Sequence, residues 1–494
     1  MLLFDWRRIV IYTHRWLGIA GCVLFVAWFV SGIVMMYAGM PRLSPAERDA
    51  HRPALDFSTA RRSPAEAANE IGVSPQRVRV GMRGARPVYR FFAGGGWTTV
   101  FADDGSALLE VSRDEAIAEV RRFGPGHDSS LRYDAYLTEP DQWTFGSVRM
   151  MPLHRIALGD PADTYFYVSD QTGEPVMKTT RRDRRWAYAG AVTHWLYFTP
   201  FRRQAGLWTQ SIIWASIAGS VMCLSGLVWG IWRLSPSGRF RLKRVQSHSP
   251  YAGWMAWHHY AGLVFGLTTF TWIFSGLLSM SPWDWHPPTS PSRQQAEAVA
   301  GGPLRLDELT TDGVRAAIAA LASHAPKELD LVQLLGESYF AAQKAVVPAI
   351  APQAGARPEL DRSHVLAAAH AAMPGVAVEE ARWIDEYDAY YYDRAGELAL
   401  PVLRVRFADP QRTWLYLDAK RGAIARKEER LTRVNRWLYH GFHSLDFPFL
   451  YYRRPLWDIV VIVLSVGGIV SSVTTIAPAW RRLRRHWQRL VRTP

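Results

Sequence analysis

The stretch His440-Gly441-Phe442-His443-Ser444-Leu445-Asp446-Phe447, followed after fourteen steps from His443 by Trp457 and an apolar run, decides the fold because it has an earlier counterpart. A shift of 249 residues lays His194 on His443, Phe198 on Phe447, Leu207 on Leu456 and Trp208 on Trp457 without a gap. Upstream, the same shift lays Pro152 on Pro401, Arg155 on Arg404, Asp160-Pro161 on Asp409-Pro410, Thr164 on Thr413 and Gly173 on Gly422. A second shift, of 244, lays His14 on His258, Gly18 on Gly262, Trp28 on Trp272 and Ser31-Gly32 on Ser275-Gly276. Self-similarity at a fixed period marks repeated structural units. The chain therefore reads as an internal two-fold repeat, and a histidine present in both copies needs an explanation.

Four blocks carry no charge over about 20 residues each: Leu17–Ala38, Ser211–Trp232, Ala261–Ser281 and Ile459–Trp480. At about 1.5 Å per residue each can cross a hydrocarbon core of roughly 30 Å. This predicts a membrane all-α four-helix bundle. The first block is too long for a signal-peptide core and lacks a small-x-small exit, so it reads as an uncleaved anchor. Arginines flank the short segments: Arg7, Arg8 and Arg15 at the start, Arg233, Arg239, Arg241, Lys243 and Arg244 after the second block, and six between Arg481 and Arg492. Positive-inside logic puts these segments in the cytoplasm and the two long ones outside; arginines also flank the second helix at 181–185 and 202–203, but long loops cross largely regardless of charge.

The resulting division is a first membrane helix in 1–40, an extracytoplasmic α+β domain in 41–185, and an interfacial segment with the second helix in 186–233. A cytoplasmic loop occupies 234–255, the third helix 256–281, and a second α+β domain 282–430. An interfacial segment with the fourth helix fills 431–480, and a cytoplasmic tail 481–494. Within the first α+β domain, Ser63-Pro-Ala-Glu and Asp114–Arg122 read as helices, with strands at Arg77–Met82, Val88–Phe92 and Trp97–Phe101. The turn Gly94-Gly95-Gly96 joins two strands, so it is no nucleotide loop. In the second, Asp361–Ala372 reads as a helix, and Tyr387-Asp-Ala-Tyr390 echoes Tyr133-Asp-Ala-Tyr136.

The net charge of +14 is mostly membrane-flanking arginine, and no nucleic-acid motif accompanies it. Both cysteines, Cys22 and Cys223, lie in apolar blocks, which excludes a disulfide framework, a CxxC zinc site and CxxCH haem attachment.

Histidine beside a membrane usually has a partner. The two shifts select four of the fifteen: His14 and His258 at one membrane face, His194 and His443 at the other. Two opposed imidazoles, one from each half, supply the axial ligands of a haem iron. Glycine four residues after His14 and after His258 shares their helix face and lets a flat macrocycle approach the backbone. A non-haem metal fits less well, because zinc and iron sites usually take three or four protein ligands. His259 and His440 are the alternates: one stands beside His258 on a rotated face, the other nearly shares a face with His443. Arg15, Arg202 and Arg203 are candidates for haem propionates, their other reading being topology anchors.

His14-Arg-Trp-Leu-Gly18, His258-His-Tyr-Ala-Gly262, Asp388-Ala-Tyr-Tyr-Tyr-Asp393 and the two α+β segments make the chain resemble the PepSY-associated transmembrane family of bacterial inner-membrane proteins. The resemblance covers nearly the whole chain and is strongest to the branch of di-haem ferric-siderophore reductases. It implies two PepSY-like periplasmic domains, two haem b groups, and release of iron in the periplasm. The expected activity is electron transfer across the bilayer to a periplasmic ferric siderophore, with Tyr390, Tyr391 or Arg203 near the route, the other reading of the tyrosines being that they pack a sheet. The cytoplasmic segments are too short to fold a flavin or nicotinamide domain, so a membrane quinol or a separate reductase is the expected donor. The rival is a colourless membrane protein whose outer domains bind a periplasmic partner while its helices anchor it or transport a small ligand.

Overall fold

The four apolar blocks build four long helices, α1 (Trp6–Met35), α2 (Ala205–Arg233), α3 (Trp254–Ser279) and α4 (Leu456–Arg492), the first block running on past its helix to Ala38 and the third to Ser281. All four are long and apolar enough to cross a membrane. The structure, a computed structural model, describes residues 5–124, 130–242, 245–393 and 396–492; Lys243 and Arg244, two of the expected cytoplasmic cations, lie outside these. The chain separates into a helical unit (through Met40, Asp183–His286, and from Val434 on) and a sheet-bearing unit (Pro41–Arg182 and Pro287–Arg433).

In the helical unit α1 packs against α2 and α4, and α3 packs against the same two. Trp28, late in α1, touches His194 just before α2, whereas His14, early in α1, touches Met222 late in α2. Consecutive helices therefore run antiparallel. Small residues bring their backbones close: a Cβ on Gly219 would stand 3.0 Å from Ile273, and Ser216, Ser220 and Ser465 are buried. Phe25, Phe29, Met222, Cys223 and Ile273 fill the centre, with Trp28 and Trp272 packed on them.

The interfacial segments are broken helices. Each begins as a helix, widens into a π turn (Tyr188–Val192 and Arg436–Gly441), then adds one short turn holding His194 or His443. A left-handed leucine ends each: Leu196 at φ 52° and Leu445 at φ 50°. Such backbone costs a residue with a Cβ about 1–2 kcal/mol. Opposing that cost, the indole N–H of Trp208 donates to the Trp195 carbonyl and that of Trp457 to the Ser444 carbonyl, each at 2.9 Å.

In the sheet-bearing unit the expected helices form at Pro64–Glu70, Arg113–Arg121 and Arg362–Ala372. The first two start in capping boxes, Ser63 with Glu66 and Ser112 with Glu115, and Asp361 caps the third. Two four-stranded sheets follow the 249 shift: Arg132–Leu137, Leu153–Ala157, Tyr165–Ser169 and Pro175–Thr179 in one, Val378–Ile384, Val402–Phe407, Trp414–Asp418 and Ala423–Glu428 in the other.

The two α+β segments, expected as a domain each, are joined through a third sheet of six strands. Strand Arg77–Arg83 pairs antiparallel with Leu329–Leu334, placing Val78 opposite Leu331 and Val80 opposite Leu329. The reason is the strand's two faces. Val78 and Val80 enter a core with Phe91, Leu329 and Phe340, while Arg79 and Arg90 turn the other way and need anions. They find them in both segments: Arg79 pairs with Asp330 at 3.1 Å, and the buried Arg90 with Glu174 at 3.4 Å. Arg52 binds Glu174 at 3.2 Å and Glu328 at 3.1 Å.

Tyr391 takes the sheet-packing reading and not the electron route: it is core. It is fully buried, stacks on Tyr416 at 5.1 Å and donates to the Ala399 carbonyl. Tyr390 stands edge-on to Trp414 at 5.3 Å.

Candidate functional site

The helical unit brings the four selected histidines together as two pairs. His14 and His258 have ring centroids 5.9 Å apart, and His194 and His443 have theirs 6.1 Å apart. Two imidazoles bound to opposite sides of one metal through bonds of about 2.0 Å stand with centroids roughly 6 Å apart. Along α1, His14 and the Trp28 that touches His194 are fourteen residues apart, so the pairs differ in height by about 20 Å.

Hydrogen bonds fix the tautomer of all four rings. His14 Nδ1 lies 2.9 Å from the Met222 carbonyl oxygen, and His258 Nδ1 lies 2.9 Å from that of Ser471. His194 Nδ1 is 3.2 Å from the Trp28 carbonyl and 3.1 Å from Ser31 Oγ. His443 Nδ1 is 3.1 Å from both the Trp272 carbonyl and Ser275 Oγ. A carbonyl oxygen only accepts, so each Nδ1 carries the proton and each Nε2 the lone pair. Metal-bound histidines have this arrangement, in which the second hydrogen bond orients the ring and raises its basicity. Every contact has a counterpart under the two shifts: Met222 with Ser471, Trp28 with Trp272, Ser31 with Ser275.

Around His14 and His258 lies a cavity of about 640 Å³ whose lining includes Gly18, Gly226, Gly262, Leu263 and Met222. A Cβ on Gly226 would fall 2.5 Å from His14 Cε1, so only glycine admits that ring. A Cβ on Gly262 would meet nothing within 4 Å, and one on Gly18 only Met222 Sδ at 3.7 Å. Both glycines thus leave open space one turn beyond a candidate ligand. Among the described residues Ser471 Oγ is buried without a hydrogen-bond partner. Size, apolar walls, paired imidazoles and the space over the glycines together fit a haem. Two imidazoles fall short of a bare zinc's ligand set, whereas a macrocycle brings four nitrogens of its own. At the other pair, Gly32 and Gly276 each back a ring, a Cβ there standing 3.6 Å from Cε1 of His194 or His443.

The remaining candidates divide. His259 has both ring nitrogens engaged, Nε2–H donating to the Gly230 carbonyl at 2.9 Å and Nδ1 accepting from Ser249 at 2.8 Å. It ties the segment before α3 to the end of α2. His440 lies against Tyr439 with centroids 4.5 Å apart. Arg15 lines the cavity. Arg202 lies over the rings of Trp208 at 4.6 Å and Tyr197 at 5.1 Å, and Arg203 is exposed. Sequence reasoning missed Gly226, which the shift lays on Thr475, and Arg481, Arg482 and Arg485, which line the cavity from α4. The i, i+4 spacing of Arg481 and Arg485 beyond an apolar run was the available signal.

The chain matches no protein-family model and no curated relative.

Proposed function

We propose that this is an internally repeated inner-membrane protein of a bacterium, with cytoplasmic termini, that holds two haem b groups and reduces a periplasmic ferric siderophore. His14 and His258 would hold one haem, His194 and His443 the other. The observation that carries the reading is the pairing itself: two histidine pairs at metal-sharing separation, every Nδ1 tied so that Nε2 keeps its lone pair. Bound at two heights of one bundle, haem supplies the one-electron chemistry that carrying electrons across a bilayer requires.

The chain's own residues orient the ligands and exclude water. Phe25 and Trp28, with centroids 5.8 Å apart, and Phe29 and Trp272, also 5.8 Å apart, occupy the bundle between the two pairs. Ser31 and Ser275 each donate to the carbonyl that also receives the histidine proton, at 3.1 and 2.9 Å. The matched contacts of the two halves support the two-fold repeat, and the twin four-stranded sheets support two PepSY-like segments fused through their shared third sheet. Reduction to Fe(II) weakens a siderophore's hold, because hard oxygen chelators favour the trivalent ion. A membrane quinol or a separate reductase would supply the electrons.

The test is spectroscopic. Pyridine haemochrome analysis of purified protein should give two b haems per chain; a value near zero supports the non-redox reading. Protein reduced with dithionite and freed of excess should reoxidise on anaerobic addition of a ferric siderophore, with Fe(II) trapped by a chelator. If the bands stay reduced with every ferric chelate yet reoxidise with another acceptor, the siderophore assignment falls and the conduit stands.

A further inference from the structure

The cavity at His14 and His258 is charged along one edge only. Among the described residues its lining contains four arginines, Arg15 from α1 and Arg481, Arg482 and Arg485 from α4, and no aspartate or glutamate. Arg15 and Arg482 are half-buried, and Arg481 and Arg485 are exposed. Among the described residues none of the four pairs with a carboxylate. They also crowd one another, since Arg482 lies within electrostatic reach of Arg15 and Arg485. Like charges gathered beside an apolar cavity destabilise the site unless an anion joins them.

The repeat does not account for this edge. The 249 shift lays Arg482 on Arg233, whose guanidinium lies 5.8 Å from the rings of Trp232 and Phe240 and is not part of the lining. The 244 shift lays Arg15 on His259, whose nitrogens are engaged with Ser249 and Gly230. A pure topology anchor needs no such asymmetry, because both helix ends would serve it equally.

We infer that Arg15, Arg481, Arg482 and Arg485 form a carboxylate-binding rim for the haem held by His14 and His258, fixing its propionate edge on the α1–α4 side. The inference rests on the haem reading of this cavity. It joins to Arg15, already a propionate candidate in the sequence, three arginines of α4 that the sequence reads only as membrane anchors. Guanidinium groups suit carboxylates because their donors form two parallel charge-assisted hydrogen bonds. Lysine keeps the charge and loses the fork.

The experiment uses purified full-length protein, R482Q/R485Q and R482K/R485K variants, and apomyoglobin as haem acceptor. The glutamine pair should lose one of the two haems about tenfold faster than wild type, with the other haem unchanged and the lysine pair in between. Haem dimethyl ester, which lacks the negative charges, should leave wild type as fast as haem leaves the glutamine variant, and the variant should not distinguish the two. Equal loss rates for haem and ester from wild type overturn the inference. So does an unchanged haem loss rate in the glutamine variant combined with weaker binding to vesicles of anionic lipid, which makes the rim a lipid anchor. The retained second haem reports that the variant has folded. H14A keeping both haems would instead overturn the reading on which the rim rests.

Discussion

His14 and His258 lie 5.9 Å apart between ring centroids, and each is held by a backbone carbonyl of the neighbouring helix, Met222 in α2 and Ser471 in α4. The two carbonyls correspond under the 249 shift. A pair so placed shares whatever it binds. Replacing either histidine by alanine should therefore remove the same haem, lowering the haemochrome yield from two per chain to one with identical residual spectra. H259A should keep both haems, since its ring nitrogens bond to Ser249 and Gly230. A spectrum of H258A that differs from that of H14A in the surviving haem would sink the pairing.

At the other pair, Ser31 and Ser275 act on the ligands through hydrogen bonds to Nδ1 and to the carbonyls beside it. S31A and S275A should each weaken retention of that haem by about 10–100-fold while leaving its partner's retention unchanged. Competition with apomyoglobin measures it. Threonine at either position should restore retention, because the hydroxyl is what the ring requires.

The helices and histidines were legible because both are written in spacing. Apolar length marks a membrane helix, and two shifts register the paired histidines without any knowledge of contacts. The shared sheet was not legible. Val78, Val80 and Met82 alternate as any half-buried strand does, and nothing local tells Arg79 that its anion is Asp330, 251 residues away. Leu196 and Leu445 escaped for the opposite reason: their left-handed backbone contradicts leucine's own preference, and tertiary bonds from Trp208 and Trp457 override it. His259 looked like a ligand in sequence because adjacency to His258 says nothing of which nitrogen is already engaged.

The arginine–glutamate cluster predicts how the sheet-bearing unit responds to acid. Burial alone would push the Glu174 carboxyl up, but Arg90, Arg52 and neighbouring arginines outweigh it and hold it down at about 2, against an ordinary 4.5. A carboxyl lowered in the folded state stabilises the fold above its unfolded pKa, and that contribution is lost as pH falls from 4.5 towards 2. Glu328 shifts the other way: burial raises it, Arg52 opposes, and the Glu174 charge adds to the rise. Its contribution is complete below the ordinary value and is lost as pH rises through the raised one. E174Q should cost about 3–5 kcal/mol near neutrality by leaving Arg90 and Arg52 short of an anion, and should flatten the acid limb between pH 4.5 and 2. E328Q should lose least, relative to wild type, at the higher pH values. Thermal melts of the full chain across pH, followed by circular dichroism, read both; parallel wild-type and E174Q limbs would remove Glu174 as the acid-labile group.

Two glycines lining one cavity separate the seat of the His14 ring from the open space beside it. A Cβ on Gly226 would fall 2.5 Å from His14 Cε1 and 2.6 Å from its Nδ1, so G226A must displace the ring from the Met222 carbonyl. The same atom on Gly262 meets no protein within 4 Å. G226A should therefore lose the His14–His258 haem and be destabilised even without it, by about 1–3 kcal/mol as overpacking usually costs. G262L should leave the haem-free protein as stable as wild type, since its side chain enters open space, yet reduce occupancy of that haem several-fold. Melting temperatures of haem-free protein and haemochrome yields of reconstituted protein measure the two effects separately. If G262L binds haem as well as wild type does, the space over Gly262 is not where the macrocycle lies, and a haem on His14 and His258 must occupy another part of the cavity.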